Sequence, residues 1–276
     1  MKIQGENGQE SGRKETAGRA ERMSRNIAII FAGGSGARMG AGVPKQFIEV
    51  NGKPIIIHTL EVFEEHPQID SIYIACKKEY IDKLKRYVRR FYISKVEQIV
   101  PGGETGQDSI YNALKAAAEK NDGDSIVLIH DGVRPVLTDQ TISDDLKCVK
   151  EHGNAITCSR IIETPVVSES GSYVEETPDR SEVYTAQAPQ CFYLKDILAA
   201  HEAERKINPH YEGIVDSCTL MRSLGKEVAM VEGNRGNIKV TTPEDLYTFR
   251  GMIEYKETMQ VFGFGDREVE GKLVKK

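Results

Sequence analysis

The chain begins with about 24 polar and charged residues that show no hydrophobic periodicity (QGENGQESGRKETAGRAER), and then switches abruptly. Asn26-Ile27-Ala28-Ile29-Ile30-Phe31 is a continuous apolar run of strand length, the pattern of a strand covered on both faces. Apolar positions at helical spacing follow over Ile55 to Glu65, and a second strand pattern runs from Ser71 to Cys76. A charged amphipathic helix is expected near 78–91, a third strand over Lys95 to Val100 and a helix over 106–120. Ser125-Ile126-Val127-Leu128-Ile129 is again unbroken and suits the centre of a parallel sheet; a helix near 139–152 and a strand near 154–159 complete the series. This alternation predicts an α/β fold with a doubly wound, mostly parallel sheet, Rossmann-like in layout. Such sheets bind ligands at the carboxyl ends of their strands, where loops 32–45, 101–109 and 130–135 should meet.

The rhythm changes at Ile161. Thr164 to Ser168, Gly171 to Val174 and Val183 to Ala186 read as short strands separated by turns, a β-hairpin arm over about 161–187 projecting from the body. An arm that cannot bury both faces by itself is expected to pair with a second copy, giving a homodimer. Helices near 194–204 and 214–224, strands at Lys226 to Val231 and Gly236 to Val240, and a last long helix opened by Thr242-Pro243-Glu244-Asp245 follow. No repeat or Pro- or Ser-rich linker divides the chain. The expectation is one catalytic domain over 25–257, with 1–24 a disordered tail or an extension ahead of a start at Met23, and 258–276 a C-terminal tail.

Composition narrows the chemistry. Over 276 residues the net charge is −5, which argues against a nucleic-acid surface. No apolar run approaches the roughly 18 residues of a membrane span, and the N-terminal segment lacks a signal-peptide core. Five scattered cysteines and six histidines form no metal-ligand spacing, which suits reduced thiols in the cytoplasm.

The densest candidate chemistry lies directly after the first strand: Ala32-Gly33-Gly34-Ser35-Gly36-Ala37-Arg38-Met39-Gly40, then Pro44-Lys45-Gln46-Phe47. A strand running into clustered glycines lets backbone N–H groups approach an anion closely, phosphate above all. The dinucleotide fingerprint G-x-G-x-x-G fails because Met39 stands at its third glycine, and that motif gives no role to Arg38 and Lys45. A Walker A loop fails because Ala41 follows Gly40. A glycine loop whose Arg and Lys clamp a nucleoside triphosphate remains, beside the plain alternative of a turn with solvated basic residues. His130-Asp131-Gly132-Val133-Arg134-Pro135 leaves the central strand with a carboxylate and a guanidinium three residues apart, placed either for ligand work or for a local ion pair.

Five blocks in order resemble the polyol-phosphate cytidylyltransferases, a family that includes methylerythritol-phosphate and ribitol-phosphate enzymes. They are A-G-G-x-G-x-R-M-G…P-K-Q-F, G-G-E-x-x-x-D-S, H-D-x-V-R-P, D-R…P-Q-x-F and N-I-K-V-T-x-P-E-D-L, spread over about 26–255. The resemblance implies CMP transfer from CTP to a polyol phosphate, with release of pyrophosphate and Mg²⁺ as the metal. It implies catalytic roles for Arg38, Lys45 and Lys239. CTP contacts would come from Ala32, Gly33, Gly34, Gly36, Gly103, Glu104, Ser109 and Asp131, with Asp131 also the metal candidate. Arg134, Thr164, Arg180 and Asp216 would serve the substrate, Arg180 reaching into the neighbouring subunit's site. The chain departs from the family pattern at Gly106, where an Arg is common, and at Ala188 and Val215, where Thr is common. Those departures leave the acceptor open. Other readings are a same-fold nucleotidyltransferase using another triphosphate or a sugar acceptor, and a non-catalytic nucleotide-binding protein.

Overall fold

The computed structural model describes residues 24–34 and 43–261. Gly36, Arg38 and both terminal stretches (1–23 and 262–276) lie outside the described residues. Among those described, nine strands and seven α-helices alternate. The strands are β1 (Asn26–Ala32), β2 (Glu49–Val50), β3 (Lys53–Pro54), β4 (Ser71–Cys76), β5 (Val96–Pro101), β6 (Ile126–Asp131), β7 (Asn154–Arg160), β8 (Tyr184–Tyr193) and β9 (Met230–Glu232). The helices are α1 (Ile55–Glu65), α2 (Ile81–Arg90), α3 (Gly106–Ala118), α4 (Asp139–His152), α5 (Leu194–Ile207), α6 (Ser217–Ser223) and α7 (Pro243–Val261).

Seven strands form one sheet in the order β5-β4-β1-β6-β8-β7-β9, and β2 and β3 make a small hairpin. β1 lies parallel between β4 and β6, with Ile29 opposite Tyr73 on one side and Ile129 on the other. Its alternate side chains enter two cores. Ala28 and Ile30 pack with α1, α2 and α4 through Leu60, Leu84 and Leu146; Ile27 and Ile29 pack with α3, α5 and α6 through Leu114, Ile197 and Leu220. That two-sided covering explains why β1 and β6 read as unbroken apolar runs. A third cluster seats α7 on the hairpin and on the loop after β6, through Val50, Val133, Val240 and Phe249.

Local chemistry sets the helix ends. Thr105 and Asp108 form a reciprocal capping box at the start of α3. Thr138 caps α4, which stops at Gly153 with φ 85°.

The C-terminal half departs from the sequence expectations at several points. The run at 183–186 is the start of the ten-residue β8, which enters the sheet antiparallel to both β6 and β7. Its Ala-Gln-Ala-Pro-Gln segment carries no strand periodicity; pairing with two long-range neighbours holds it, and the register shifts where β7 passes this segment. In the arm, 164–168 and 171–174 form no ladder beyond a single bridge between Val167 and Glu176. Residues 236–240 are not a strand: a turn joins Asn237 to Asn234, and a single backbone pair, the Val240 N–H donating to the Val133 carbonyl at 2.8 Å, ties the segment to the loop after β6. β9 and α6 are shorter than expected, and α7 continues through 258–261.

Candidate active site

β1, β5 and β6 end at the same edge of the sheet, and their loops build the site. Gln46 donates to the carbonyl of Ala32 at 2.8 Å, tying the Pro44–Phe47 segment to the end of β1. After β5, the chain packs closely against the start of α3. A Cβ on Gly103 would sit 2.1 Å from Cβ of Asp108, so only glycine fits there. The Gly103 N–H donates to Ser109 Oγ at 3.1 Å, and Ser109 Oγ donates to the Thr105 carbonyl at 3.0 Å. Ser109 therefore shapes this loop from within.

At the end of β6 the Asp131 carboxylate meets two cations. Lys239 Nζ lies 2.6 Å from Oδ1 and Arg134 Nε lies 3.2 Å from Oδ2. Burial pushes this carboxyl upward, but Lys239 and Arg134 outweigh it and hold it below the ordinary aspartate value. Arg134 is itself enclosed: it donates through Nη1 to the Asn237 carbonyl at 2.6 Å, and its own carbonyl accepts from His130 Nε2 at 3.0 Å. Burial drives His130 down to about 4, so it is a neutral donor and adds no charge. Asn237 also donates to the Ala188 carbonyl at 2.7 Å. Lys239, whose side chain is 43% exposed, is the solvent-facing member of the group, whereas Arg134 and Asp131 form its buried base.

Two cavities flank Asp131 and Lys239. One, of about 510 Å³, is lined by Gly33, Gly34, Lys45, Lys77, Glu104 and Ser109, among others. The second, of about 170 Å³, is lined by Gln107, Ala188, Gln190, Val215, Asp216 and Ser217, among others. Phe31, Gly106, Asp131 and Lys239 belong to both. Such an arrangement can hold two ligands with their near ends on either side of one carboxylate and one lysine.

The structure thus brings together Ala32, Gly33, Gly34, Lys45, Gly103, Glu104, Ser109, Asp131 and Lys239 around the larger cavity. Arg134 and Asp216 reach the smaller one, each with its polar groups already engaged. Asp216 caps α6 by accepting from Thr219 N at 2.7 Å, and it accepts from Gln190 Nε2 at 2.9 Å. Thr164 and Arg180 line neither cavity. Both are exposed on the arm, where Arg180 donates to the Ile162 carbonyl at 2.9 Å. Sequence reasoning overlooked Gln46, Lys77, Gln107, Gln187, Gln190, Ser217 and Asn237. Gln46, Gln190 and Asn237 are named positions of the blocks P-K-Q-F, P-Q-x-F and N-I-K-V, and that is the signal by which they could have been found; Gln107 fills an unspecified position of G-G-E-x-x-x-D-S, and the others lie in no block.

A family model for 2-C-methyl-D-erythritol 4-phosphate cytidylyltransferase matches residues 26–254. A ribitol-5-phosphate cytidylyltransferase of Vibrio parahaemolyticus is 46% identical over 239 residues, covering 86% of this chain and 100% of that protein. A 2-C-methyl-D-erythritol 4-phosphate cytidylyltransferase of Clostridium botulinum is 36% identical over 233 residues, covering 84% and 99%. Among solved structures, the 4-diphosphocytidyl-2C-methyl-D-erythritol synthase of Anaerococcus prevotii superposes with a TM-score of 0.72 at 29% identity, covering 84% of this chain and 96% of that one. With its paired cavities at the strand ends and this match over most of its length, the chain belongs to the 2-C-methyl-D-erythritol 4-phosphate cytidylyltransferase family.

Proposed function

We propose that this chain transfers CMP from CTP to a polyol phosphate, releasing pyrophosphate and a CDP-polyol, and that its acceptor is ribitol 5-phosphate. The observation that carries the reaction is the pair of cavities sharing Asp131 and Lys239. In this reading CTP occupies the larger cavity, along Gly33, Gly34, Lys45 and Glu104, and the acceptor occupies the smaller one. An oxygen of the acceptor phosphate attacks the α-phosphorus. A new P–O bond forms as the bond to the β-phosphate oxygen breaks, and pyrophosphate leaves with that electron pair. The acceptor phosphate is already ionised at neutral pH, its second pKa being about 6, so the step needs no general base. What it needs is positive charge between two anions. Lys239 supplies it at the junction, and Lys45 on the nucleotide side. Arg38 would add to it, as the family resemblance implies.

Mg²⁺ fits this donor set. Among the described residues no three His, Cys, Asp or Glu side chains form a metal cage. The single carboxylate of Asp131 at the junction suits an ion that takes one or two protein oxygens and fills its other positions from phosphates and water. Asp131 would hold the ion, which would neutralise phosphate charge. The ribitol-phosphate acceptor is supported by the 43–46% identity to ribitol-5-phosphate cytidylyltransferases, against 36% to methylerythritol-phosphate enzymes. Val215 agrees, since it stands 83% exposed at the rim where a Thr would offer a hydroxyl.

The proposal includes a homodimer joined through the arm, supported by the exposed Val166, Val167, Tyr173 and Val174. Arg180 of each copy would then serve the other's acceptor. It also places the enzyme in the cytoplasm: no helix among the described residues is long and apolar enough to cross a membrane, and the five cysteines are free thiols.

The test is a turnover panel with CTP and Mg²⁺, offering ribitol 5-phosphate and 2-C-methyl-D-erythritol 4-phosphate and reading pyrophosphate release. Ribitol 5-phosphate is expected to be the better acceptor. Turnover of neither would overturn the proposed reaction, and preference for the methylated substrate would overturn the proposed acceptor.

A further inference from the structure

The polar groups around the smaller cavity differ in one respect: most are already in use. Asp131 and Arg134 pair with each other, and Asp131 pairs with Lys239. Asp216 and Gln190 bond each other, and the Gln190 Oε1 accepts from Cys218 N at 3.0 Å. Gln187 donates to Ser159 Oγ at 3.0 Å and accepts from Asn237 Nδ2 at 3.3 Å. Asp131 and Lys239 are committed to the junction with the larger cavity, and Asp216, Gln190 and Gln187 are tied up among themselves and with the fold.

Gln107 is the exception. It is the second residue of α3, it lines the cavity, and it is only 4% exposed. Its Oε1 is enclosed without a hydrogen-bond partner. A buried amide in that condition is costly, and native structures keep one where it has a function. Ser217 Oγ, at the first position of α6 and lining the same cavity, is likewise enclosed and unpartnered. Two uncommitted polar groups, carried by two different helices, therefore converge on one small space. Beside them the wall is open, because nothing lies within 4 Å of where a Cβ on Gly106 would sit.

We propose that Gln107, supported by Ser217, reads a hydroxyl of the acceptor's carbon chain and so selects a fully hydroxylated polyol phosphate over a methylated one. The inference rests on the proposed assignment of the smaller cavity to the acceptor. A primary amide can donate to a hydroxyl or accept from it, and a half-turn about χ3 exchanges its two ends, so either polarity is available. 2-C-methyl-D-erythritol 4-phosphate keeps its C2 hydroxyl beside the methyl but is one CHOH unit shorter than ribitol 5-phosphate, so where the longer chain presents its additional hydroxyl the amide would be left unpaired or would face the methyl group. Sites built to bond a substrate hydroxyl discriminate strongly against analogues that lack it.

The experiment measures kcat/KM for ribitol 5-phosphate and for 2-C-methyl-D-erythritol 4-phosphate in the full-length enzyme and in Gln107→Met, Gln107→Asn and Ser217→Ala. Gln107→Met keeps the length and removes the polar end. It should lower kcat/KM for ribitol 5-phosphate by about 10-fold or more, lower it less for the methylated substrate, and leave the KM for CTP unchanged. Gln107→Asn, which retains an amide, should recover part of the loss, and Ser217→Ala should show a smaller loss of the same kind. Equal losses with both acceptors would mean a merely structural role and overturn the inference. So would an unchanged acceptor ratio in Gln107→Asn and Ser217→Ala should Gln107→Met fail to fold. If the unmodified enzyme turns over neither acceptor, the functional proposal fails and this inference fails with it. If it turns over ribitol 5-phosphate and the variants keep its selectivity, only the role of Gln107 is refuted.

Discussion

The two cavities are built by different means. The larger one rests in good part on two glycine-bearing loops, the end of β1 with Gly33 and Gly34 and the loop from Gly103 to Ser109 that closes on its own helix cap, joined by Lys45, Lys77, Asp131 and Lys239 from elsewhere in the chain. The smaller one is made of side chains drawn from α3, β8, the start of α6 and the 237–239 segment. Backbone N–H groups present the same donors whatever side chains surround them, so a backbone-built site suits an invariant ligand such as a nucleotide. A wall of side chains can change one residue at a time, which suits a ligand that varies between relatives. Lys239 lines both cavities and belongs to neither strategy, and in the proposed reaction its charge would act on both ligands at once.

The largest effect should come from breaking what the cavities share. Lys239→Ala is expected to lower turnover by about 10² to 10³, as loss of a charge aimed at a transition state typically does, with the thermal midpoint kept; near-normal pyrophosphate release would remove Lys239 from the chemistry. Gly103→Ala should strike the nucleotide side selectively. The added Cβ would meet Asp108 at 2.1 Å and force the loop off α3. The KM for CTP should rise by about 10-fold or more, in line with one or more lost hydrogen bonds, while the KM for the acceptor moves little; the reverse pattern would misassign the larger cavity. Arg180→Ala tests the acceptor side and the arm together. It should raise the acceptor KM by about 10-fold through a lost charge-assisted contact and spare CTP. An effect confined to CTP would sink both the placement of Arg180 and its delivery from a neighbouring subunit.

The smallest effect lies away from both cavities and should touch stability alone. Asp145 of α4 is buried and accepts from Thr157 Oγ1 of β7 at 2.8 Å. Burial raises its pKa to about 8, against about 3.9 in an unfolded chain. The folded state therefore holds a proton that the unfolded state releases, and the stability gained is lost as pH rises from about 4 to about 8. His130 and His201, lowered by burial to about 4 and about 3, act oppositely: their contribution is lost as pH falls below about 6.5. Between pH 6.5 and 8 only Asp145 among these three is titrating. The melting temperature of the unmodified protein should fall across that window, and that of Asp145→Asn should be flatter. Identical slopes would show that the Asp145 carboxyl is ionised in the folded state.

The same division separates what could be read from the chain alone. β1, α1 and β4 follow their periodicity closely, with α1 and β4 ending at the expected residues, because strands covered on both faces and a helix with one apolar stripe leave local patterns. The glycine loop and the Asp131-Arg134 pair were visible as motifs because their residues are neighbours. By contrast, β8 and the 236–240 segment were misread. Val183 to Ala186 reads as a short strand of the arm, but the strand runs on to Tyr193 and is held in the sheet by β6 and β7, while Gly236 to Val240 looks like a strand and finds no strand to pair with among the described residues. Gln107 stands at an unspecified position of the G-G-E-x-x-x-D-S block and Ser217 lies in no block; only the tertiary structure sets them in the wall of one small cavity.

The sequence by itself determined the layered α/β body, the order of its early elements and the reaction class that the five ordered blocks imply, and it raised the expectation of a phosphate-binding loop after β1. Each of these rests on short-range pattern: period, turn chemistry, or neighbouring charges. Only the tertiary structure decided that Asp131 is a buried carboxylate fixed by Arg134 and shared with Lys239, that Asp216 caps a helix, and that the Oε1 of Gln107 is left without a partner in the wall of the smaller cavity. Those outcomes depend on which distant groups come within hydrogen-bond reach once the sheet closes. Hydrogen bonds and ion pairs act over about 3–4 Å, and nothing in the linear chain records that distance between residue 131 and residue 239.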